Sequence, residues 1–507
     1  MKKILVDGDS LDIKDVVMVS RYKRKVELSK EVIDKLDKSR KFVEDIVKKG
    51  KPVYGVNTGV GELCNTRIEK DMLNELQKNI IYSHAISTSP YLSKESTRGT
   101  MLLRANSLAK GYSGIRKEIL ERLIFFINND VIPIIPEKGS LGASGDLIPL
   151  AVLALFLMGE GKGYYKGREM DSRAIHKKLG IEPIKYEEKE ALSMINGTSF
   201  SLSISILSLY DAKIALKGAI IAAGLSAEAL LSLSSEFHEK IQEAKPYPEQ
   251  GVIAHALRNF LDGSKLINSN LDKVQDAYVI RCLPQIYGSI YSTLKYTERI
   301  CTVEANSSSD NPLVFPDEKL VLSGGNFHGS FIATADDYLS ISMTILGSNS
   351  ERRLNRLLNP NLSQNLPPFL IKNSGLNTGF MLLQYLSASL VSENKVLSTP
   401  ASINSIPVSA DQEDDVSMSA TSAEKLRQIV DNVLTIVAIE ILSATQALYF
   451  RKKKKGRGTE KALTVLKDVV PFIEKDTNLS PYIEKIKNLL ISETLIKEVE
   501  KEIGEIL

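Results

Sequence analysis

Apolar residues recur along this chain at helical spacing over long distances. The clearest case is 423–450, where Leu426, Ile429, Val430, Val433, Leu434, Val437, Ile441 and Leu448 share one stripe. Similar stripes predict helices over 29–49, 283–301, 329–358 and 380–397, and over a long apolar segment from the small loop at 196–199 to about 233. Residues 70–128 read as two or more amphipathic helices broken near 87–90, and the apolar run 147–158 as a buried helix. β signals are short. Ile4-Leu5-Val6 and Val16-Val17-Met18-Val19 suggest a small hairpin within 3–27, and Leu313-Val314-Phe315 and Leu320-Val321-Leu322 suggest two short strands. The polar, glycine-rich stretch 159–186 reads as a surface excursion. Many long helices and few strands predict an all-α, long-helix bundle with a small β adornment. Residues 1–196 are expected to form an N-terminal, mainly α region, and 197–507 the long-helix bundle with C-terminal helices, together one continuous unit.

Composition narrows the function classes. The 507 residues are 43% hydrophobic and 25% charged, as in ordinary soluble proteins. A net charge of +3 makes no global case for nucleic acid. The basic run 451–457 follows a helix end and carries no interleaved aromatics, so it reads as a solvated loop. Three widely spaced cysteines suit a reducing compartment, and five scattered histidines without an H-E-x-x-H pattern make no metal site. The run 147–158 is shorter than the roughly 20 residues a membrane helix needs, and the N-terminus lacks a signal-peptide core. A soluble, cytoplasmic protein is expected, with neither nucleic acid nor membrane as partner.

The stretch that draws chemical attention is Gly139-Ser140-Leu141-Gly142-Ala143-Ser144-Gly145-Asp146-Leu147. Small residues let the backbone turn back on itself. Three readings stand: a plain loop before a helix, an anion-binding helix start, or a turn tight enough to bring the Gly145 nitrogen onto the Ala143 carbonyl carbon. In the third, loss of the Ser144 hydroxyl leaves an electrophilic ring with an exocyclic methylene. The hydrolase pattern G-x-S-x-G does not apply, because Asp146 stands where it needs Gly. Other polar clusters interrupt apolar segments: Tyr54 in a glycine loop, Ser83-His84, Asn196, Gln275 to Tyr278 with Arg281, Phe327-His328, and Gln412 to Asp415. Each alone has an ordinary structural explanation.

Together these clusters resemble the aromatic amino acid ammonia-lyase family. The likeness runs from about residue 4 to about 460. It rests on the 139–147 motif, on Tyr54-Gly55-Val56-Asn57-Thr58-Gly59, Asn196-Gly197-Thr198, Gln275 to Gln285, Ser309-Asp310-Asn311-Pro312-Leu313, Ser323 to His328, and Ser350-Glu351-Arg352-Arg353. The resemblance implies a homotetramer with active sites shared between subunits. It implies a 4-methylidene-imidazol-5-one (MIO) group self-formed from Ala143, Ser144 and Gly145, with no external cofactor. Tyr54 matches the family's general base, which needs a positive environment to act near neutral pH. Arg281 matches the clamp on the substrate carboxylate. Tyr278 and Asn196 match residues near the ring and the amine, Phe327 an aromatic beside the ring, and Gln275 a polar lining residue.

Substrate choice is implied by the pair Ser83-His84 and by Glu413, which look like the histidine-specific branch: L-histidine would give trans-urocanate and ammonia. Thr399, Asp415 and Ser199 depart from that branch, so a tyrosine ammonia-lyase or tyrosine 2,3-aminomutase is the alternative. A metal-dependent hydrolase lacks its ligand cluster. A helical scaffold without activity would not need Tyr54, the 143–145 triplet and Arg281 together.

Overall fold

The computed structural model describes residues 3–507. Helices dominate, and the long ones fall where the apolar stripes predict them: Ser199–Ala229, Leu283–Ala305, Ser330–Leu358, Met381–Leu397 and Ser419–Tyr449. The described residues add three small sheets. The all-α reading with a β adornment therefore describes the architecture. The chain divides into two compact units. One comprises the residues up to Tyr210 with Glu298–Asp337 and Pro400–Glu424; the other comprises Asp211–Thr297, Tyr338–Thr399 and Lys425–Leu507.

In the first unit, Lys30–Lys49 buries Val32, Leu36, Val43 and Val47 on one face, and Gly50 closes it in the left-handed conformation. The apolar 70–128 stretch becomes three helices, Leu73–His84, Lys94–Ala109 and Lys117–Asn128. Helix Lys94–Ala109 is buried along almost its whole length, which its polar composition disguises.

Two expectations are corrected here. The 3–27 segment is not a hairpin. Val16-Val17-Met18-Val19 lie in the helix Ile13–Ser20, and Ile4–Val6 pairs in parallel with Val26–Leu28. β-branched residues suggested a strand, but a capping box between Asp12 and Asp15 starts a helix whose buried face is Val16, Val17 and Val19. The 159–186 stretch is also more ordered than its composition suggests. Lys162–Tyr165 and Arg168–Asp171 form an antiparallel hairpin added to Val131–Pro133, followed by the helix Ser172–Leu179. Leu313–Phe315 and Leu320–Leu322 are strands, as expected, and they pair antiparallel with Leu313 opposite Leu322.

The core of the second unit holds a buried ionic network. Arg353 and Glu440 are both inaccessible to solvent. The guanidinium donates from Nε and Nη2 to the two Glu440 oxygens at 2.6 and 2.7 Å, and from Nη2 to the Tyr287 hydroxyl at 2.7 Å. Ser226 and Ser350 donate to the same carboxylate at 2.7 and 2.5 Å. The fork geometry and hydroxyl donors offset the desolvation of both charges. Arg451, in the basic run, donates to the carbonyls of Ala229, Ser363 and Gln364 at 2.8–3.1 Å, so that residue joins the end of the helix Ser199–Ala229 to the segment at 363–364. The helix Ser419–Tyr449 is long and apolar enough to cross a membrane, unlike the run 147–158, but 78% of its most apolar window is buried in the protein.

Glu440→Gln leaves the Arg353 cation buried without its counter-charge. A loss of about 3–5 kcal/mol is expected, read as a lower thermal and denaturant midpoint; an unchanged midpoint would show that the pair is dispensable.

Candidate active site

The first unit gathers much of the predicted site around residues 140–146. Gly142 and Gly145 both have positive φ, +66° and +75°, where a side chain is strained. Space agrees with conformation. A Cβ on Gly145 would overlap the Gly197 backbone, and one on Gly142 would overlap the hydroxyls of Ser417 and Ser419. Gly145 and Gly197 pair as a short parallel bridge, and the Asp146 N–H donates to the Gly197 carbonyl at 2.7 Å. Asn196 is buried, and its Nδ2 donates to the Ser144 carbonyl at 2.8 Å. The loop is thus held on one side by the turn 196–198.

Asp146 holds it on the other. Its carboxylate is fully buried and accepts from Ser140 Oγ at 2.7 Å. It also accepts from the Phe200 and Ser201 amides at 3.0 and 2.9 Å and from Ser201 Oγ at 3.0 Å. Those amides belong to the first turn of Ser199–Ala229, so Asp146 caps a helix remote in sequence instead of the one it precedes. Burial pushes this carboxyl above its ordinary range, against the pull of the four donors.

Glu413 comes to the loop from the 400–424 segment. Its backbone pairs with Val408 across a turn in which Ser409, Ala410 and Asp411 are left-handed. The half-buried carboxylate accepts a hydrogen bond from Ser144 Oγ. Two residues on, the Asp415 carbonyl contacts His328 Nε2 at 3.2 Å, tethering the turn that carries Phe327. A Cβ on Gly329 would meet Ser417 and Ser419, the same side chains that confine Gly142. Phe327 is therefore carried on a turn that shares its packing partners with the small-residue loop.

Tyr54 is half-buried and accepts from the Gly61 N–H at 3.4 Å. Burial pushes its phenol above the ordinary value of 10; the Gly61 amide works the other way, while Cys64, Glu413 and Asp310 push further up. The chain's own surroundings thus oppose the depressed pKa that a general base at this position calls for. His84 ends the helix Leu73–His84. Its Nδ1 lies 2.8 Å from the Ile80 carbonyl, which can only accept, and 2.9 Å from Ser83 Oγ, so Nδ1 carries a proton.

The remaining predicted residues belong to the second unit and cluster there. Arg281 donates to Gln275 Oε1, and its guanidinium lies 4.6 Å from the centroid of the Tyr278 ring. They line an open cleft of about 500 Å³. Tyr278 is 68% exposed. The segment is anchored from below: Asp276 accepts from the Leu233 amide at 2.8 Å and pairs with Lys273, and its own N–H donates to Glu236 at 3.1 Å. Burial, reinforced by Asp276, pushes Glu236 up to about 7.

No local pattern marked Asp146, Ser417 and Ser419 as neighbours that confine the loop. Asp146 stands in the sequence as a lone acid between a glycine turn and an apolar helix. The serines sit in a Ser-Met-Ser-Ala-Thr-Ser run that looks like any polar helix start.

Comparisons with known proteins establish the family and the fold. The sequence profile described as aromatic amino acid lyase matches residues 11–468. The chain is 45% identical over 509 residues to a histidine ammonia-lyase from Caldanaerobacter subterraneus subsp. tengcongensis, covering all of both chains. Among solved structures, histidine ammonia-lyase from Trypanosoma cruzi superposes with a TM-score of 0.92 at 38% identity, covering 99% of this chain and 96% of that one. Tyrosine aminomutase from Streptomyces globisporus superposes with a TM-score of 0.94 at 34% identity, with 99% of each chain covered. A profile match over most of the chain, full-length identity of this order and a matching fold mean that the chain belongs to the aromatic amino acid lyase family.

Proposed function

We propose that this chain is a carbon–nitrogen lyase that deaminates L-histidine to trans-urocanate and ammonia. The observation that carries this reading is the contact of Glu413 with Ser144 Oγ. An acid suited to an imidazole N–H stands against the residue that would become the electrophile. Full-length similarity to a histidine ammonia-lyase supports the same substrate.

Residues 143–145 fit the MIO group. Cyclisation requires a residue without a side chain at 145, and both the φ of Gly145 and the Gly197 backbone behind it demand glycine. Asn196 Nδ2 already donates to the Ser144 carbonyl, the oxygen that the ring would retain. Once formed, the group supplies an electrophile for the substrate amine, which makes ammonia a better leaving group.

The chain's own residues do the rest. Arg281, braced by Gln275 and stacked on Tyr278, would bind the substrate carboxylate through its fork. Glu413 and His84 Nε2 would hold the imidazole, Asn196 would orient the amine, and Phe327 would close the apolar side. Tyr54 Oη would take the β-proton. Its raised pKa is a reason to expect help from outside this chain, and shared sites in a homotetramer would bring positive charge to it. Exposed apolar side chains at helical spacing support such assembly: Tyr338, Ile341 and Ile345 on Ser330–Leu358, and Leu382, Tyr385 and Leu386 on Met381–Leu397. Free cysteines accord with a soluble cytoplasmic enzyme.

The likeness to tyrosine aminomutase gives a second reading the same chemistry. Offering purified protein L-histidine and L-tyrosine separates the two: urocanate absorbance from histidine is expected, and a β-amino acid from tyrosine would overturn the assignment.

Ser144→Ala should abolish turnover with native circular dichroism; full turnover in that variant would end the ring mechanism. Tyr54→Phe should lower kcat by about 10²-fold or more. Because Tyr54 works only when deprotonated and its pKa is raised, kcat/KM of the native enzyme should climb as pH rises above neutrality, and the variant should lose that climb. Glu413→Gln should depress histidine turnover far more than any residual tyrosine turnover, measured side by side.

A further inference from the structure

Behind the small-residue loop lies a buried ionic layer with no part in the proposed deamination. Arg104, in the helix Lys94–Ala109, is inaccessible to solvent. Its Nη1 donates to the Asn196 carbonyl at 2.8 Å, while Nε and Nη2 have no hydrogen-bond partner among the described residues. A Cβ on Gly197 would run into the same guanidinium. Nearby, the equally buried Lys189 donates to Asp310 Oδ2 at 2.7 Å and to Ser193 Oγ at 2.8 Å. Burial pushes Arg104 down to about 10, and the charges of Asp310 and Asp146 resist that loss.

Burying a guanidinium is expensive, and a purely structural one is normally satisfied on most of its donors. Arg104 faces the charges of Asp310 and Asp146, but among the described residues its guanidinium hydrogen-bonds to one peptide carbonyl, and that carbonyl belongs to Asn196. From there the contacts run directly into the loop. Asn196 Nδ2 holds the Ser144 carbonyl at 2.8 Å, Gly197 pairs with Gly145, and the Gly197 carbonyl accepts from Asp146 at 2.7 Å.

We propose that Arg104 is a positioning residue for ring formation: it fixes the Asn196–Gly197 peptide as a backstop against which residues 144–146 are folded. The proposal rests on the reading that Ala143, Ser144 and Gly145 cyclise. In that reaction the Gly145 nitrogen bonds to the Ala143 carbonyl carbon. The Ala143 oxygen leaves as water with the hydrogens of the Gly145 and Ser144 amides. The Ser144 Oγ leaves as a second water with the Ser144 Cα hydrogen, giving the methylene. An amide nitrogen is a weak nucleophile because its lone pair is delocalised. Its attack therefore depends on holding the two atoms together in one geometry, which a yielding backstop would not do.

Mass spectrometry of the proteolytic peptide spanning residues 143–145 reads this directly, since the cyclised peptide is lighter by two waters. Native protein, Arg104→Met and Arg104→Lys are sampled at intervals after synthesis, with circular dichroism as the check on folding. The native peptide should be fully dehydrated. Folded Arg104→Met should dehydrate at least about 10-fold more slowly, and Arg104→Lys, which keeps a charge but not the reach, at an intermediate rate at least about threefold below native. Native-rate dehydration in folded Arg104→Met overturns the proposal. If Arg104→Met does not fold, native-rate dehydration in Arg104→Lys overturns it. A native peptide that never loses water refutes the cyclisation reading itself, a separate outcome.

Discussion

The buried carboxylate of Asp146 ties together the parts on which the first unit's site depends. It joins the end of the small-residue loop to the first turn of Ser199–Ala229, and so to the Asn196–Gly197–Thr198 turn just before that helix. Unpaired amides at a helix start need acceptors and carry partial positive charge; a buried carboxylate needs donors. Each requirement meets the other. Once they meet, the loop has little freedom left. Ser417 and Ser419 occupy the space beside Gly142, and Gly197 occupies the space beside Gly145. Loop, turn and serine pair form one packed object, and Glu413 reaches it from the segment that also carries the serines.

A tension runs through the electrostatics of this unit. The groups near Tyr54 push its phenol toward the protonated form, the wrong direction for a base. The groups that look fit to bind a substrate carboxylate, Arg281 with Gln275 and Tyr278, belong to the other unit, on a segment with an exposed tyrosine.

Much was legible from one dimension because it depends on short-range order. Helical stripes locate the long helices, since burying one face of a helix imposes a period the sequence must keep. The glycine loop was legible because glycine is needed where φ is positive and space is closed. Local composition was a poor guide in two places: the β-branched run Val16 to Val19 joins a helix once Asp12 caps it, and 162–171 pairs as a hairpin although it carries no β-branched residue. In both cases a partner distant along the chain or a cap decided between conformations of similar local preference.

The sequence by itself determined the family: the triplet Ala143-Ser144-Gly145, the tyrosine in its glycine loop and Arg281 stand in one order along the chain, and that order is part of its resemblance to the aromatic amino acid lyases. It also determined the helical architecture, through periodicity. Only the tertiary structure decided what surrounds the triplet. Asp146 capping a helix that starts 53 residues later, Arg104 pressed on the Asn196 peptide, and Glu413 hydrogen-bonded to Ser144 are contacts between segments 50 to 270 residues apart. No local pattern encodes them, because burial and charge pairing are properties of the folded interior and are invisible to neighbours along the chain.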